Sequence, residues 1–228
     1  MKILIVAKTK YNNGFCVGGL TLETKKNIRL LTSDGANQMS FTNFEIGQYW
    51  DIEFNAKPNC VLPHSEDVIV IKQEQIGFED NLKEYLLSNT NYWREGRTEI
   101  FGKTISYDIK GKGFLQHGEY VPLNSVGFWK LPFDISLVID PSYDDGKTKY
   151  RYESCEESGN INLPYKGCEE PLKVIPSGTL VRMSLARWKV FNNTGQERCY
   201  LQISGWYLNQ HKSIKNVQIQ YEDEELQF

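Results

Sequence analysis

The sequence predicts an all-β protein, and three observations lead to this class. Segments of roughly five to nine residues, rich in β-branched and aromatic side chains, recur along the chain with turn-forming residues between them. Within Tyr49–Phe54 the apolar side chains of Trp50, Ile52 and Phe54 alternate with their neighbours, as in a half-buried strand. The turn Asp144-Asp145-Gly146 between extended runs is a strong hairpin signal. Together these features are typical of a β-sandwich or a β-barrel.

The first half of the chain fits one partly open Greek-key barrel, the OB-fold. Its second predicted strand carries Gly18 and Gly19 near the centre, where glycines mark a bend or a bulge. A β-sandwich of similar strands is the main alternative. The predicted strands of this half are Ile3–Ala7, Phe15–Leu22, Ile28–Leu31, Tyr49–Phe54 and Val68–Ile71.

One helix is predicted, over Asp80–Trp93, where Leu82, Tyr85 and Leu86 share a face at helical spacing. Such a helix covers the end of a barrel or joins two barrels. We place a first OB-type module, including this helix, at residues 1–98 and a second at residues 99–228. The predicted architecture is therefore two OB-type barrels with one linking or capping helix.

The second half repeats the strand and turn pattern after a Gly-rich and aromatic connection over residues 100–130. The stretch Ser154–Glu170 is predicted to be a solvated loop, and Val217–Tyr221 an edge strand before an acidic tail. The predicted strands are Asp134–Ile139, Lys147–Glu153, Leu172–Ile175, Thr179–Arg187 and Arg198–Tyr207.

Composition excludes several functional classes. The net charge of −3 argues against strong sequence-independent DNA binding, although one basic face would suffice for weaker phosphate contacts. The apolar run Ile3–Ala7 is too short for a signal peptide or a membrane span, so we expect a cytoplasmic protein with no membrane partner. The five cysteines are widely spaced and predict neither disulfides nor a zinc site.

No pattern of catalytic residues is visible. His64, His117 and His211 are isolated in sequence, and no phosphate-binding loop of the Walker type is present. The segment Gly111-Lys112-Gly113 is either a flexible loop or a phosphate contact. We therefore expect no enzymatic activity, no cofactor and no bound metal. The alternative, a hydrolase assembled from distant His and Asp residues, would require a metal or a strongly perturbed histidine in a deep pocket.

Several short segments, taken in order, resemble the prokaryotic dual OB-containing domain family. They are Ile3–Thr9, the Gly-x-Cys strand Gly14–Gly19, the strand Asn27–Thr32, and, in the second half, Leu180–Leu185 and Cys199–Ile203. The resemblance spans most of the chain.

This resemblance implies two OB modules and recognition of a nucleic acid or nucleotide, often beside prokaryotic conflict (defence) systems. It supplies no established catalytic residues. Only Cys16 and Arg29 occupy motif positions that can be transferred, and we expect Cys16 to serve in buried packing.

Alternation along the predicted strands of the second half identifies a candidate binding face, since successive side chains point to opposite sides of a sheet. In Arg198–Tyr207 it places Leu201 and Ile203 inward. It leaves Tyr200 and Trp206 outward.

The neighbouring predicted strands extend this face. In Thr179–Arg187 the same alternation turns Arg182 outward, and Trp188 would follow on the same side. In Lys147–Glu153 the cations Lys149 and Arg151 alternate with tyrosines, which gives one cationic and one aromatic side.

A surface that mixes arginine, tryptophan and tyrosine without acids is typical of OB-folds that stack bases and neutralise phosphates. We therefore predict a binding module for single-stranded nucleic acid or a nucleotide-like ligand. The same residue types are enriched at protein interfaces, so a contact between the modules, or a scaffold role with a protein partner, stays open. The candidate ligand-binding residues are Arg29, Lys149, Arg151, Arg182, Arg187, Trp188, Tyr200 and Trp206.

Overall fold

The computed structural model describes residues 1–11, 13–140, 149–156, 159–191 and 195–208. Within these ranges the chain is built mostly from strands, which confirms the predicted all-β class. The predicted Asp144-Asp145-Gly146 turn and the edge strand Val217–Tyr221 lie outside the described residues.

The first part of the chain forms a closed barrel. The third strand pairs in parallel with the last, and the first strand pairs with both the second and the fifth, which is the Greek-key closure of an OB-fold. The strands are β1 (Lys2–Tyr11), β2 (Gly14–Thr21), β3 (Asn27–Leu31), the short β4 (Gln38–Met39), β5 (Gln48–Ala56) and β6 (Asp67–Phe78). The predicted sandwich alternative is thereby excluded for this half.

Both faces of β1 are buried, which explains its unbroken apolar sequence. Ile3 and Ile5 point into the barrel with Trp50. Leu4 and Val6 point outward and pack against the rest of the chain. The predicted inward alternation of β5 is confirmed, with Trp50 and Ile52 at 5% and 3% exposure.

The helix is shorter than predicted. It spans α1 (Leu82–Asn89), and Thr90 then adopts an extended conformation that ends it. Trp93 instead lies in β7 (Tyr92–Trp93), which joins the second sheet, because hydrogen bonding to that sheet competes with continuation of the helix. Leu82 and Leu86 pack where the barrel meets this sheet, in keeping with a linking helix.

The remainder of the described chain forms two packed sheets, in keeping with a second OB-type barrel. The larger sheet has the order β7-β10-β15-β17-β9-β8, with β16 paired to β17, and the smaller has the order β13-β12-β11-β14. Two short 3₁₀ turns, separated by a kink at Ile100–Gly102, lie in Arg97–Lys103 between β7 and β8. The strands are β8 (Ser106–Tyr107), β9 (Gly113–Gln116), β10 (Val126–Lys130), β11 (Ile135–Asp140), β12 (Lys149–Glu156), β13 (Gly159–Pro164), β14 (Val174–Ile175), β15 (Leu180–Leu185), β16 (Lys189–Val190) and β17 (Glu197–Tyr207).

Strand β13 corrects the prediction of a solvated loop over Ser154–Glu170. Ile161, Leu163 and Tyr165 are 2%, 1% and 6% exposed and point into the core between the two sheets. Their spacing of two residues was the available signal, and the surrounding glutamates and glycines obscured it.

One apolar cluster, here called the junction cluster, joins the first barrel to the larger sheet. Within it, the Tyr207 hydroxyl donates a 2.6 Å hydrogen bond to the Val6 carbonyl. Val6 lies at a bulge where the β1–β2 register shifts, so its carbonyl has no regular partner in that ladder. The cluster contains Leu4, Val6, Leu20, Leu82, Leu86, Phe128, Leu180 and Tyr207.

We expect Tyr207→Phe to lower the free energy of unfolding by about 2 kcal/mol, because it leaves the buried Val6 carbonyl without a donor. Urea denaturation measures the change. Tyr11→Phe is the matched control: Tyr11 is 49% exposed, and its substitution is expected to change stability by less than about 0.5 kcal/mol. Equal effects of the two substitutions would contradict a structural role for the Tyr207 hydroxyl.

Candidate functional site

The outer face of the larger sheet is where alternation predicted it. Tyr200, Gln202 and Ser204 alternate along β17 with residues of the inner core, and Arg182 and Ser184 do the same along β15. The first barrel covers part of this face, so that Ser204 and Arg182 are only 2% and 5% exposed. The face therefore divides into a contact between the barrels and a more open region around Tyr200.

A cleft of about 360 Å³ lies between the covered and the open regions. The first barrel contributes Cys16, Gly18, Arg29, His64 and Glu66 to its walls, and the larger sheet contributes Arg182, Ser184, Gln202 and Ser204. Arg187 follows β15, and Lys10, Lys166 and Lys189 complete the lining with exposed side chains. The cleft brings together three of the predicted site residues, Arg29, Arg182 and Arg187.

Arg182 is the most deeply buried cation of this cleft. Its Nη1 donates to the Ser204 hydroxyl at 3.1 Å, and its Nε has no hydrogen-bond partner. Among the described residues no carboxylate oxygen lies within 4.0 Å of its guanidinium, and burial lowers the pKa of Arg182 from its usual value. A Cβ on Gly18 would lie 2.7 Å from Nη2, so any larger residue there would displace the end of the Arg182 side chain. The Arg182 charge is thus buried without an ion-pair partner.

Arg29 and Arg187 share one carboxylate. Asp67 Oδ2 accepts from Arg29 Nη2 at 2.5 Å and from Arg187 Nη2 at 2.7 Å, and the Asp67 side chain is 1% exposed. Arg29 and Asp67 are opposite each other because β3 and β6 pair in parallel. Arg187 reaches the same oxygen from beyond β15, so this ion pair links the two halves of the protein.

Glu66 is the second buried acid at the cleft. The Ser125 hydroxyl and backbone N–H both donate to its carboxylate. The Nδ1 atom of His64 lies 4.0 Å from Glu66 Oε1, but burial, and next the Arg29 guanidinium, lower the pKa of His64 to about 4. His64 is therefore neutral at pH 7 and adds no positive charge.

The charges around the cleft do not cancel. Three guanidinium groups face two carboxylates, those of Asp67 and Glu66, which leaves one positive charge in excess before the lining lysines are counted. The sequence prediction identified the three arginines, and Lys10 beside Arg29, but not Lys166 and Lys189, which come from separate segments of the chain. Strand alternation could not have revealed them, because only the docking of the barrel onto the sheet brings them together.

An aromatic surface continues from the cleft along β9 and β17. Tyr200 follows Gln202 on the same side of β17 and is partly exposed. The Nζ atom of Lys112 lies 5.4 Å from the centre of the Tyr200 ring. The Arg198 guanidinium lies 4.0 Å from the Phe114 ring centre. Lys112, in the segment Gly111-Lys112-Gly113, is thus exposed beside an aromatic ring.

Trp188 is half-buried and contacts the first barrel. Its Nε1 donates to the Leu62 carbonyl at 2.7 Å, and its ring meets His117 edge-on with 5.4 Å between centroids. Trp188 therefore lies beside the contact between the two halves, and its indole N–H already has a hydrogen-bond acceptor.

The prediction that Trp206 points outward is wrong. Trp206 is 7% exposed and stacks on Tyr165 with 4.5 Å between ring centroids, inside the core of the second half. The cause is a bulge at Ser204: Arg182 pairs with Gly205, whereas the next residue, Met183, pairs with Ile203. The extra residue reverses the alternation, so Trp206 turns inward.

Lys149 and Arg151 do not join the cleft. They lie on β12 of the smaller sheet, beyond the core that separates the two sheets. Arg151 Nε is 2.7 Å from Glu153 Oε1, and the intervening Tyr152 is fully buried. The alternation predicted for this strand is correct, but the prediction that its cations share the face of Arg182 and Tyr200 is wrong, because β12 belongs to another sheet.

Neither metal nor membrane features are found in the part of the chain that the structure describes. There is no cluster of three or more His, Cys, Asp or Glu side chains arranged to hold a metal ion. Within the same ranges, no helix has the length and apolar character needed to cross a bilayer.

The depressed pKa of His64 predicts a pH dependence of stability. The unfolded imidazole binds a proton near pH 6.5, whereas the folded one stays neutral to about pH 4. The unfolded state therefore binds more protons in this window, and the free energy of unfolding falls as the pH drops, by up to about 1.4 kcal/mol per unit. Denaturation measured between pH 6.5 and about 5 gives this slope. This range lies above the pH at which most carboxylates titrate, so they contribute little to it.

His64→Gln is expected to flatten this slope. His117→Gln, at an exposed histidine, is the control and is expected to leave it unchanged. An identical slope in the wild-type protein and in His64→Gln would contradict burial of the neutral imidazole.

Comparison with known proteins identifies the family. Curated protein sequences contain no match. Two solved structures show weak similarity at 10% identity: a murine DNA-binding protein bound with double-stranded DNA (TM-score 0.30, 89% of this chain and 91% of that one) and a replication protein A heterotrimer bound to single-stranded DNA (TM-score 0.32, 90% and 48%). This chain thus spans about half of the latter chain. At these TM-scores the similarity carries no argument about function. The model of the dual OB-containing domain matches residues 1–206, and the chain belongs to that family.

Proposed function

We propose that this dual OB protein is a non-catalytic binding protein for single-stranded nucleic acid or a nucleotide-like ligand. The observation that carries this proposal is Arg182, a buried cation without a carboxylate partner at the wall of a cleft. Taking a charge out of water costs several kcal/mol unless an opposite charge and hydrogen bonds compensate it. A phosphate supplies both, and the guanidinium fork matches phosphate oxygens.

The aromatic surface supports the same ligand class. Tyr200 lies two residues along β17 from Gln202, which lines the cleft, so a base on the ring and a phosphate in the cleft could belong to one ligand. Stacking on an aromatic side chain contributes about 1–3 kcal/mol per base and tolerates any sequence. Lys112, close to the Tyr200 ring, would add a phosphate contact at the open end.

The cleft is poorly suited to the alternative hydrolase mechanism. His64 is a strongly perturbed histidine, as that alternative requires, but its pKa of about 4 makes it a weak base at pH 7. Burial raises the pKa of Cys16, which keeps the thiol protonated. A nucleophilic cysteine paired with histidine needs the opposite shifts. Binding without turnover therefore fits these groups better than catalysis.

The proposal is tested with a fluorescent single-stranded oligonucleotide that has hydroxyl groups at both ends. We expect binding at low salt and a linear fall of log affinity with log salt concentration, since phosphate contacts release counterions. Tyr200→Ala is expected to weaken binding about 10-fold through loss of one stacked base. Tyr120→Ala removes a ring that is 75% exposed elsewhere and is the matched control, with unchanged affinity.

Two results would overturn the proposal. One is the absence of oligonucleotide binding at low salt together with the absence of nucleotide binding, in which case a protein partner becomes the better hypothesis for the aromatic surface. The other is an equal affinity of Tyr200→Ala and Tyr120→Ala, with both variants folded by circular dichroism.

A further inference from the structure

We propose that the cleft at Arg182 is a site for a terminal phosphate, that is, a phosphate monoester. The group would come either from a free nucleotide or from the end of a nucleic-acid strand. This inference rests on the proposed function for the rest of the ligand, which would extend toward Tyr200. Beyond that function, we infer that the group bound at Arg182 is a phosphate monoester.

The first argument is the shape of the cleft. Along β15 the residues of this face are Ser184, then Arg182, then Leu180. Leu180 is fully buried in the junction cluster, and Tyr207, which pairs with it, is hydrogen-bonded to Val6. The cleft is therefore closed on the far side of Arg182 by a dry apolar contact. The middle of a nucleic-acid strand must enter and leave its site, so it needs two openings. The end of such a strand, or a small molecule, needs only one.

The second argument is the hydrogen-bonding capacity at the closed end. The Nε atoms of Arg182 and Arg29 are both buried without a hydrogen-bond partner. Gln202 lines the same space and donates to the Ser184 hydroxyl at 3.2 Å, which leaves its second amide hydrogen and the Ser184 hydroxyl hydrogen as donors. The Ser204 hydroxyl already donates to the Arg182 carbonyl and therefore adds no donor. A terminal phosphate offers three strong acceptor oxygens, whereas a phosphodiester within a strand carries its ester groups on two sides. The donors on several walls therefore suit the terminal group.

The third argument is charge. A phosphate monoester carries about −1.5 to −2 charges at pH 7, while each diester in a strand carries one. The arginines and acids at the cleft leave one positive charge in excess, and Lys10 and Lys189 add positive charge along its lining. This surplus matches the monoester more closely. The volume of about 360 Å³ also lies at the small end of the range for ligand pockets.

The experiment compares oligonucleotides of one sequence that carry a 5′-phosphate, a 3′-phosphate or hydroxyl groups only. We expect one phosphorylated end to raise affinity about 10-fold over the hydroxyl form, as for charge-assisted hydrogen bonds. In parallel, inorganic phosphate and a nucleoside 5′-monophosphate are added to the protein without oligonucleotide, and the melting temperature is followed. Chloride at equal ionic strength is the reference.

The two arms separate the two sources of the phosphate. Stabilisation by the nucleoside monophosphate well beyond that by inorganic phosphate indicates a free nucleotide. A preference confined to the phosphorylated oligonucleotide indicates a strand end. Either result supports the monoester site.

Arg182→Met is expected to abolish the preference for the phosphorylated end and the phosphate-induced rise in melting temperature. Without ligand, this variant is expected to melt no lower than the wild-type protein, because it removes a buried charge that lacks an ion-pair partner. If Arg182→Met does not fold, Lys189→Gln at the exposed part of the lining decides the question by a reduced preference. Lys173→Gln, at an exposed lysine beside β14, is the matched control with an unchanged preference.

The failures of the two proposals are distinguishable. Equal affinity for phosphorylated and hydroxyl ends, with Tyr200-dependent binding intact, would overturn the terminal-phosphate site and leave the proposed function standing. Absence of oligonucleotide binding, with Arg182-dependent stabilisation by phosphate retained, would overturn the strand-binding function and leave the phosphate site standing.

Discussion

The docking of the first barrel onto the larger sheet buries Arg182 and forms the cleft beside it. The junction cluster holds the two together through apolar packing, and the bond from Tyr207 to Val6 satisfies a carbonyl that a bulge in β1 leaves without a strand partner. Without this contact, Arg182 would lie on an open sheet surface in water. With it, Arg182 becomes 5% exposed and the sheet surface beside it becomes a cleft.

The buried charges at the cleft differ in how well they are compensated. Asp67 neutralises one of its two arginine partners and joins the first barrel to the segment after β15, which is the arrangement expected of a structural ion pair. Arg182 has only the Ser204 hydroxyl as a close partner among the described residues. Natural proteins accept such incomplete compensation chiefly at functional sites, where a ligand completes the hydrogen bonding. This difference distinguishes the part of the cleft that holds the structure together from the part for which we propose a ligand.

Local alternation predicted much of the fold and part of the candidate binding face. The inward positions of β5 and the outward positions of Tyr200 and Arg182 follow from the two-residue period of a strand, which depends only on neighbouring residues. Trp206 was misplaced because a single bulge at Ser204 reverses that period, and a bulge leaves no clear mark in one sequence. The assignment of Lys149 and Arg151 failed for another reason: alternation gives the side of a strand but not the sheet to which the strand belongs.

The bulge at Ser204 also bears on the choice between a contact surface and a binding surface. It turns Trp206 into the core, where the ring stacks on Tyr165, and it leaves Ser204 on the outer face as the hydrogen-bond partner of Arg182. The covered part of the face thus contains the apolar junction cluster and, directly beside it, the polar pair of Arg182 and Ser204. A surface selected only for contact between two modules would extend the apolar packing over Arg182, since replacing a buried charge with hydrophobic residues is often stabilising. The presence of an arginine there therefore favours our proposal of an anionic ligand over contact alone.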